Sequence, residues 1–279
     1  MDIYNFDYKT ETTKEPLKEN LTLIIGKFNV FHQGHEELLK KAKEVSKKNK
    51  LGTTLFNFKE QMSITTLENR LKNLAEIGFD FVLVIDFDFD FKSLHAKDFI
   101  DHIVKKYKIE NFVVGQEFRF GSNRMWGSSD LKDYFPNTFI CETKKINNIK
   151  ISGSSIKEMI VTGEIKLVNE LLLTTYNPVI KYSETKVIWP ENLVKPHSGV
   201  YFIKMEIEGF WYHGLLLSSM NDADQIILLN YVGDLIDDNY NIQIVEEARI
   251  IINSRFNNIV EQDKKNCLEF FYNLQKNNI

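Results

Sequence analysis

The chain is poor in cysteine, has no long apolar run and shows no excess of basic charge. Of its 279 residues only Cys141 and Cys267 are cysteine, too few for a disulfide framework or a four-cysteine zinc site. No apolar run approaches the roughly 18 to 20 residues that a membrane-spanning helix needs, so we expect no membrane partner. The 35 basic residues are outnumbered by 39 acidic ones, and a formal charge of −4 argues against nucleic acid as a partner.

The composition is that of an ordinary globular chain. Hydrophobic residues make up 43% and charged residues 27%, which excludes a disordered or fibrous protein. Residues 1–8 lack the basic and then apolar order of a secretory signal. We therefore expect a soluble protein of the reducing cytoplasm, and the length predicts about two domains.

Residues 21–141 alternate between short apolar runs and amphipathic segments. Strands are predicted over 21–26, 51–58, 79–86, 111–115 and 138–141, and helices after His35 and over 65–77 and 97–107. This alternation predicts an α/β fold with a parallel, Rossmann-like sheet and right-handed crossovers. A helical hairpin is predicted over 154–173, with Gly163 between its halves.

The sequence changes character after Tyr176. Segments 199–208, 210–218, 225–231 and 241–252 are rich in Ile, Val, Tyr and Phe, and they are interrupted by Gly, Asn and Asp. They predict the antiparallel strands of a small β domain, and residues 262–276 predict a closing helix. We place the first domain at residues 1–176 and the second at 190–279.

Two histidines and a glycine lie between the first predicted strand and the helix that follows it. A helix N-terminus presents free backbone N–H groups, which suit a polyphosphate. The imidazoles of His32 and His35 can donate hydrogen bonds to phosphoryl oxygens, and Gly34 lets the backbone approach the ligand. The alternative is a pair of surface histidines that cap a helix; the combination of pair, glycine and position favours phosphate binding.

A second segment, Ser152 to Lys157, precedes and begins the predicted hairpin. Ser154 is a candidate N-cap, and the hydroxyls there could bind the phosphates that leave in a transfer reaction. Lys157 adds a point charge, although an ordinary capped helix has the same pattern.

The third segment, residues 118–127, combines aromatic rings, two arginines and glycines. Its rings could stack on a flavin and its arginines could meet a phosphate, whereas the alternative is a surface loop with half-buried rings. Residues 86–92 alternate Asp and Phe. They lack the glycine and final glutamate of a calcium loop, so we predict a strand with one wet face and one buried face.

These segments together resemble the prokaryotic FAD synthetases of the nucleotidyltransferase superfamily. Residues 26–35 match the family pattern Gly-x-Phe-x₃-His-x-Gly-His. Residues 115–121 resemble its Gly-x-Asp/Asn-Phe-x-Phe-Gly segment, residues 151–157 resemble its Ile-Ser-Ser-Thr-x-Ile-Arg segment, and residues 170–176 resemble the tail of its first domain. The resemblance implies transfer of AMP from ATP to FMN, with Mg²⁺ as cofactor and FAD and pyrophosphate as products.

The resemblance also assigns roles to residues. The implied catalytic residues are His32, His35 and Lys157. The implied ATP-binding residues are Gly26, Phe28, Asn29, Gly34, Ser152, Ser154 and Ser155. The implied FMN-binding residues are Glu117, Phe118, Arg119, Phe120 and Arg124, and no protein ligand to a metal is assigned.

Several positions differ from the family pattern, among them residues 56–58, which are Phe-Asn-Phe in place of a segment with Pro and His, and Gly153. Asn29 replaces an aspartate, Glu117 replaces Asp or Asn, and Lys157 replaces an arginine and so loses its bidentate fork. Two alternatives therefore remain open. One is an adenylyltransferase for another small phosphorylated substrate, and the other is a non-catalytic flavin-nucleotide-binding module. The oligomeric state is left open.

The second domain resembles the riboflavin kinase domain of this family, a small β-barrel. Residues 196–201 resemble the beginning of a barrel strand, Pro-x-Gly-Val-Tyr. Between Tyr176 and Leu193, however, there is neither a glycine nor the Pro-Thr-x-Asn that the kinase signature requires. Gln225 stands where the family has a glutamate base, and an amide cannot accept the hydroxyl proton. We expect an antiparallel, barrel-like domain with a C-terminal helix and without kinase activity.

Overall fold

The computed structural model describes residues 1–7, 19–46, 48–58, 61–142, 144–146, 149–184, 186–220, 222–253 and 257–276. The chain forms two compact units. The first contains Met1–Gln61 and Arg70–Ser152, and the second contains Met62–Asn69 and Gly153–Ile279.

The first unit is an α/β layer. Its strands are β1 (Asp2–Asn5), β2 (Leu21–Ile24), β3 (Lys50–Asn57), β4 (Phe81–Asp86), β5 (Ile109–Gly115), β6 (Arg119–Phe120), β7 (Trp126–Gly127), β8 (Thr138–Cys141), β9 (Lys145–Ile146) and β10 (Ile149–Lys150). Its helices are α1 (Glu36–Val45), α2 (Leu67–Ile77), α3 (Phe89–Ser93), α4 (Ala96–Tyr107) and α5 (Ser128–Tyr134), of which α2 begins in the 62–69 segment of the second unit.

Six of these strands form one parallel sheet in the order β1-β4-β3-β2-β5-β8. The chain runs outward from β2 through β3 and β4, and then crosses to β5 and β8 on the other side. The strand order therefore reverses at β2, and ligands of open α/β sheets bind at the carboxyl ends of strands at such a reversal. The predicted parallel, Rossmann-like sheet is confirmed.

The sheet is buried on both faces because its helices contribute apolar residues at helical spacing. β2 is buried throughout, and α1 buries Leu38, Leu39 and Ala42. α4 contributes Phe99 and Ile103 to a core that includes the sheet. Burial of this kind contributes about 25 cal/mol per Å² of apolar surface.

Two sequence-based expectations need correction in this unit. The Asp/Phe run does not extend β4, because the side chain of Asp88 accepts a hydrogen bond from the N–H of Phe91 at 2.8 Å and α3 begins there. A capping carboxylate at this point favours a helix start over a continued strand. The helix predicted over 65–77 begins only at Leu67, and its buried residues include the polar Asn69, Arg70 and Asn73 beside Leu74.

The second unit begins with a helical hairpin and continues as an antiparallel sheet. Its elements are α6 (Gly153–Val161), α7 (Ile165–Leu171), β11 (Val179–Ser183), β12 (Lys186–Ile188), β13 (Gly199–Ile207), β14 (Phe210–Ser218), β15 (Gln225–Leu228), β16 (Asp238–Ile250) and α8 (Glu261–Lys276). The strand order is β12-β11-β16-β13-β14-β15, and a bridge from Val187 to Asp224 brings the two edges together. The sheet is therefore nearly closed and barrel-like, as predicted.

The helix α8 packs on this sheet. Cys267 and Phe271 are buried with Val200, Leu215 and Leu217 in one apolar cluster. The strands β11 and β12 were not predicted. They lie between the two predicted domains, residues 1–176 and 190–279. These domain boundaries remain a prediction. In the part of the chain that the structure describes, no helix is long and apolar enough to cross a membrane.

Candidate active site

The histidine pair lies in the loop that leaves the carboxyl end of β2. A 3₁₀ turn over Gln33–His35 leads directly into α1, and the N–H of His35 donates to the carbonyl oxygen of His32 at 2.8 Å. The two imidazole rings stack with centroids 3.8 Å apart and planes 21° apart. We call residues 26–35 the histidine loop. This loop holds both imidazole rings together, between the end of β2 and the start of α1.

Both imidazoles are neutral at physiological pH. Only 4% of His32 is exposed, and its burial lowers its pKa to about 4. Burial and the neighbouring His32 hold the pKa of His35 well below its ordinary value. The Nδ1 atom of His35 accepts from the N–H of His32 at 3.4 Å, so its own proton lies on Nε2, where it can be donated to a ligand. The Nδ1 atom of His32 is buried without a hydrogen-bond partner.

Close packing holds the histidine loop in place. Phe28 stacks on Phe31 at 4.4 Å and meets His35 edge-on at 5.0 Å. The hydroxyl of Thr54 accepts from the N–H of Gly26 and donates to its carbonyl oxygen, both at 3.1 Å. A Cβ on Gly34 would lie 2.9 Å from the His32 ring, which is why this position requires glycine. Asn29 is half-buried in the same loop.

A cavity of about 370 Å³ opens in the same unit. It is lined by Lys27, Phe56, Phe87, Phe91, Lys92, Leu94, Phe99, Phe118, Arg119, Phe120, Gly121, Asn123 and Arg124. Phe118 and Phe120 stack at 4.9 Å, and Phe91 meets Phe56 at 5.6 Å and Phe99 at 5.5 Å. We call it the aromatic cavity; its rings offer flat apolar faces to a conjugated ligand.

Four cationic side chains accompany these rings. Lys27, Lys92, Arg119 and Arg124 line the aromatic cavity, and none of the lining residues that the structure describes is acidic. The Nζ atom of Lys27 lies 5.4 Å from the Phe58 ring and 5.7 Å from the Phe87 ring. Burial, with a smaller effect of the Arg124 charge, lowers the pKa of Lys27. A group of cations without carboxylates suits a ligand that carries an anion next to an aromatic ring system.

The backbone of the cavity wall is strained. Gly121 has φ of 75°, and a Cβ there would lie 2.6 Å from that of Ala96. Asn123 and Arg124 adopt φ of 51° and 55°, although neither is glycine. Such conformations concentrate at ligand sites, where surrounding structure holds them in place.

The structure brings four of the five residues predicted to bind FMN to one cavity. Glu117 is the exception: it is exposed and forms an ion pair with Lys150. Sequence reasoning missed Lys27 and Lys92. Lys27 precedes Phe28 of the histidine loop and Lys92 ends the Asp/Phe run, so the available signal was adjacency to segments already singled out.

The serine segment is divided between the two units. Ser152 ends the first unit, half-buried, whereas Ser154, Ser155 and Lys157 belong to the second. The helix α6 begins at Gly153, so Ser154 lies inside its first turn and is not its N-cap. The ammonium of Lys157 donates to the carbonyl oxygen of Met62.

The family with the description FAD synthetase matches residues 14–159, just over half of the chain. The chain belongs to the FAD synthetase family. It is therefore an enzyme of the nucleotidyltransferase class, and the family resemblance seen in the sequence is confirmed.

Relatives of this FAD synthetase family member extend the similarity into the second unit. A protein from Buchnera aphidicola subsp. Schizaphis graminum is 32% identical over 173 residues, which cover 56% of this chain and about half (55%) of that protein. One from Bacillus subtilis (strain 168) is 24% identical over 295 aligned positions, covering 91% of this chain and 93% of that one. Both are named bifunctional riboflavin kinase/FMN adenylyltransferase.

A solved structure shares the fold over nearly the whole chain. The crystal structure of a macrolide-efflux protein from Streptococcus pneumoniae aligns with a TM-score of 0.81 at 19% identity, covering 96% of this chain and 98% of that one. At this identity the similarity concerns the fold alone.

Proposed function

We propose that this chain transfers AMP from ATP to FMN, giving FAD and pyrophosphate. The observation that carries the proposal is the aromatic cavity, because its aromatic rings and its four cationic side chains match a flavin that carries a phosphate. It lies in the same unit as the histidine loop, and Lys27 of the cavity directly precedes Phe28 of that loop. Membership of the FAD synthetase family gives the reaction class.

In this reaction a phosphate oxygen of FMN attacks the α-phosphorus of ATP in line. A bond forms between that oxygen and the α-phosphorus, while the bond from the α-phosphorus to the bridging oxygen of the β-phosphate breaks and pyrophosphate leaves. Such a step depends on positioning and on stabilising charge at the phosphoryl oxygens. The Nε2–H of His35 and the ring of His32 are proposed to hold those oxygens, because His32 is buried, His35 is half-buried and the two rings stack on each other.

The other residues implied by the family resemblance are assigned to different parts of ATP. Gly26, Phe28, Asn29, Gly34 and Ser152 are proposed to contact ATP, and Ser154, Ser155 and Lys157 its departing phosphates. Among the described residues no group of three His, Cys, Asp or Glu side chains is arranged to hold a metal ion. Mg²⁺ usually keeps several water ligands and is held through substrate phosphates with only one or two carboxylates, so it needs no dedicated protein cage. These residues therefore fit a substrate that enters as MgATP, and we propose the cytoplasm, where MgATP is available, as its compartment.

We also propose that the second unit has no riboflavin kinase activity. The segment between Tyr176 and Leu193 carries β11 and β12, and it has neither a glycine nor Pro-Thr-x-Asn. Gln225 is exposed at the beginning of β15 and has no carboxylate to accept a proton.

One assay tests both proposals. The pure protein is incubated with MgATP and either FMN or riboflavin, and the products are separated by chromatography. We expect FAD from FMN and no change in riboflavin. FMN or FAD from riboflavin would overturn the loss of kinase activity. No product from FMN would overturn the adenylyltransferase proposal, and a panel of other small phosphates would follow.

Histidine variants connect this activity to the histidine loop. We expect His35→Asn and His32→Asn to lower kcat by roughly 10²- to 10³-fold, since the shorter amide no longer places a donor where the imidazole held the phosphoryl oxygens. His95→Asn is the matched control, because His95 is exposed before α4. Thermal unfolding confirms that each variant is folded. Full activity in both loop variants would contradict the mechanism.

A further inference from the structure

A buried arginine lies behind the histidine loop. Arg70, in α2, is only 6% exposed. Its Nη2 atom donates to the carbonyl oxygen of Phe56 at 2.8 Å and to that of Phe28 at 3.3 Å. Phe28 belongs to the histidine loop, and Phe56 belongs to β3 and lines the aromatic cavity. One guanidinium thus joins the two parts of the candidate site.

The charge of Arg70 has no counter-charge in the described part of the chain. No acidic group shifts its pKa, which burial alone lowers to about 10, so the guanidinium remains positive at neutral pH. Its Nε atom is buried without a hydrogen-bond partner. A buried charge that meets only neutral carbonyls is costly, because the interior solvates it less well than water does.

The position of this charge suggests why it is kept. β2 and β3 are neighbours in the sheet, and Phe28 and Phe56 lie at or beyond their carboxyl ends, the edge at which open α/β sheets bind ligands. A cation at this edge raises the local potential for anions in a medium that screens it little. A neutral donor of suitable shape could make the same hydrogen bonds to the two carbonyl oxygens. Only a charged side chain such as Arg70 also raises the potential for anions.

We propose that Arg70 is a positioning residue that fixes the histidine loop to β3 and supplies, from within the protein, a positive charge that favours binding of the ATP polyphosphate. This inference rests on the proposed function in so far as ATP is the substrate. It assigns no contact between Arg70 and the nucleotide.

Three substitutions separate the charge from the hydrogen bonds. Arg70→Gln keeps a donor and loses the charge, Arg70→Met loses both, and Arg70→Lys keeps the charge in a group whose pKa burial lowers into an accessible range. Calorimetry with MgATP, and separately with magnesium pyrophosphate, measures binding without FMN. We expect Arg70→Gln and Arg70→Met to weaken MgATP binding by about tenfold or more, because each removes a weakly screened positive charge near the polyphosphate. Lys72→Gln, which removes an exposed cation from the same helix, is the matched control.

The lysine variant provides a readout that a purely structural role would not change. Its buried ammonium should deprotonate between about pH 7 and pH 9, so its MgATP affinity should fall over this range. Wild-type affinity should stay nearly constant there, because Arg70 remains charged. This comparison is made within one protein, so it remains decisive if the other variants fail to fold.

Two results would overturn the inference. One is MgATP binding by folded Arg70→Gln equal to that of the wild type. The other is an affinity of Arg70→Lys that does not depend on pH beyond the wild-type dependence. By contrast, a wild-type protein that binds MgATP and makes no FAD would contradict the proposed function and leave the role of Arg70 testable.

Discussion

At the residue scale, the proposed FMN site uses different side chains for the flavin ring and for its phosphate. The stacked pair Phe118 and Phe120 offers apolar faces, whereas Lys27, Lys92 and Arg124 offer charge. Riboflavin and FMN share the ring system and differ in the phosphate. The two flavins therefore report separately on the two kinds of side chain.

Lys27→Met should weaken FMN binding and leave riboflavin binding unchanged. The substitution keeps the apolar length of the side chain and removes the ammonium, so we expect about a tenfold rise in the dissociation constant for FMN. Quenching of flavin fluorescence measures both ligands. Lys41→Met is the matched control, because Lys41 lies 5.4 Å from the Phe139 ring outside the cavity, the same distance at which Lys27 lies from Phe58. An equal loss of affinity for both flavins would show that Lys27 acts on the ring or on the fold.

The sequence predicted the contiguous part of this site and missed the part assembled by the fold. Phe118, Arg119, Phe120 and Arg124 follow one another on a single loop, so one segment indicated all four. Lys27, Lys92 and Arg70 come from three other elements, and no local pattern links them to that loop. Arg70 in particular occupies a helical position that amphipathic periodicity assigns to an apolar residue, and the reason for its burial is two carbonyl oxygens far away in sequence.

At the element scale, the alternation of strands and helices was sufficient to predict the parallel sheet. The prediction failed at residues 86–92, where alternating residue types do not form a strand. Residues 86–92 alternate Asp and Phe, yet Asp88 turns the chain into α3 by accepting from the N–H of Phe91. β11 and β12 were missed because residues 179–188 mix Lys, Ser, Glu and Thr with few apolar residues, and their pairing with each other and with β16 is long-range.

Gly163 lies in the turn between α6 and α7. Its replacement by alanine should destabilise the fold far more than the same replacement at Gly209, which has a similar φ. Gly163 has φ of 80°, and a Cβ there would lie 2.0 Å from Nε2 of His197. Gly209, between β13 and β14, has φ of 82° and open space around it. Both Gly→Ala variants incur about 1 kcal/mol of backbone strain, and Gly163→Ala adds a steric clash.

Thermal unfolding of the two glycine variants gives the comparison. We expect Gly163→Ala to lower Tm by several degrees more than Gly209→Ala does, since about 1 kcal/mol corresponds to roughly 2 to 4 °C in a domain of this size. Equal shifts would mean that His197 moves away without cost and that the turn is not held by this contact.

At the scale of the whole molecule, burial shifts the pKa of histidines in both units in the same direction. Burial lowers the pKa of His32, His35 and His102 in the first unit and of His213 in the second. Each of these side chains is thus held neutral in the folded chain under conditions in which it would accept a proton when unfolded. The histidine loop is therefore one part of a general sensitivity to acid.

The free energy of unfolding should fall as the pH is lowered from about 6.5, because the unfolded chain then binds more protons than the folded one. Above about pH 7 these groups are neutral in both states and contribute no slope. Burial raises the pKa of Asp224 and Glu247, which act in the opposite sense nearer the acid limit, so urea unfolding is best compared between about pH 7.5 and pH 5. His102→Asn removes one of these groups and should flatten the dependence. The free energy of unfolding could instead stay constant or rise on acidification. Protonation of these histidines would then not destabilise the folded chain, and the prediction would be wrong.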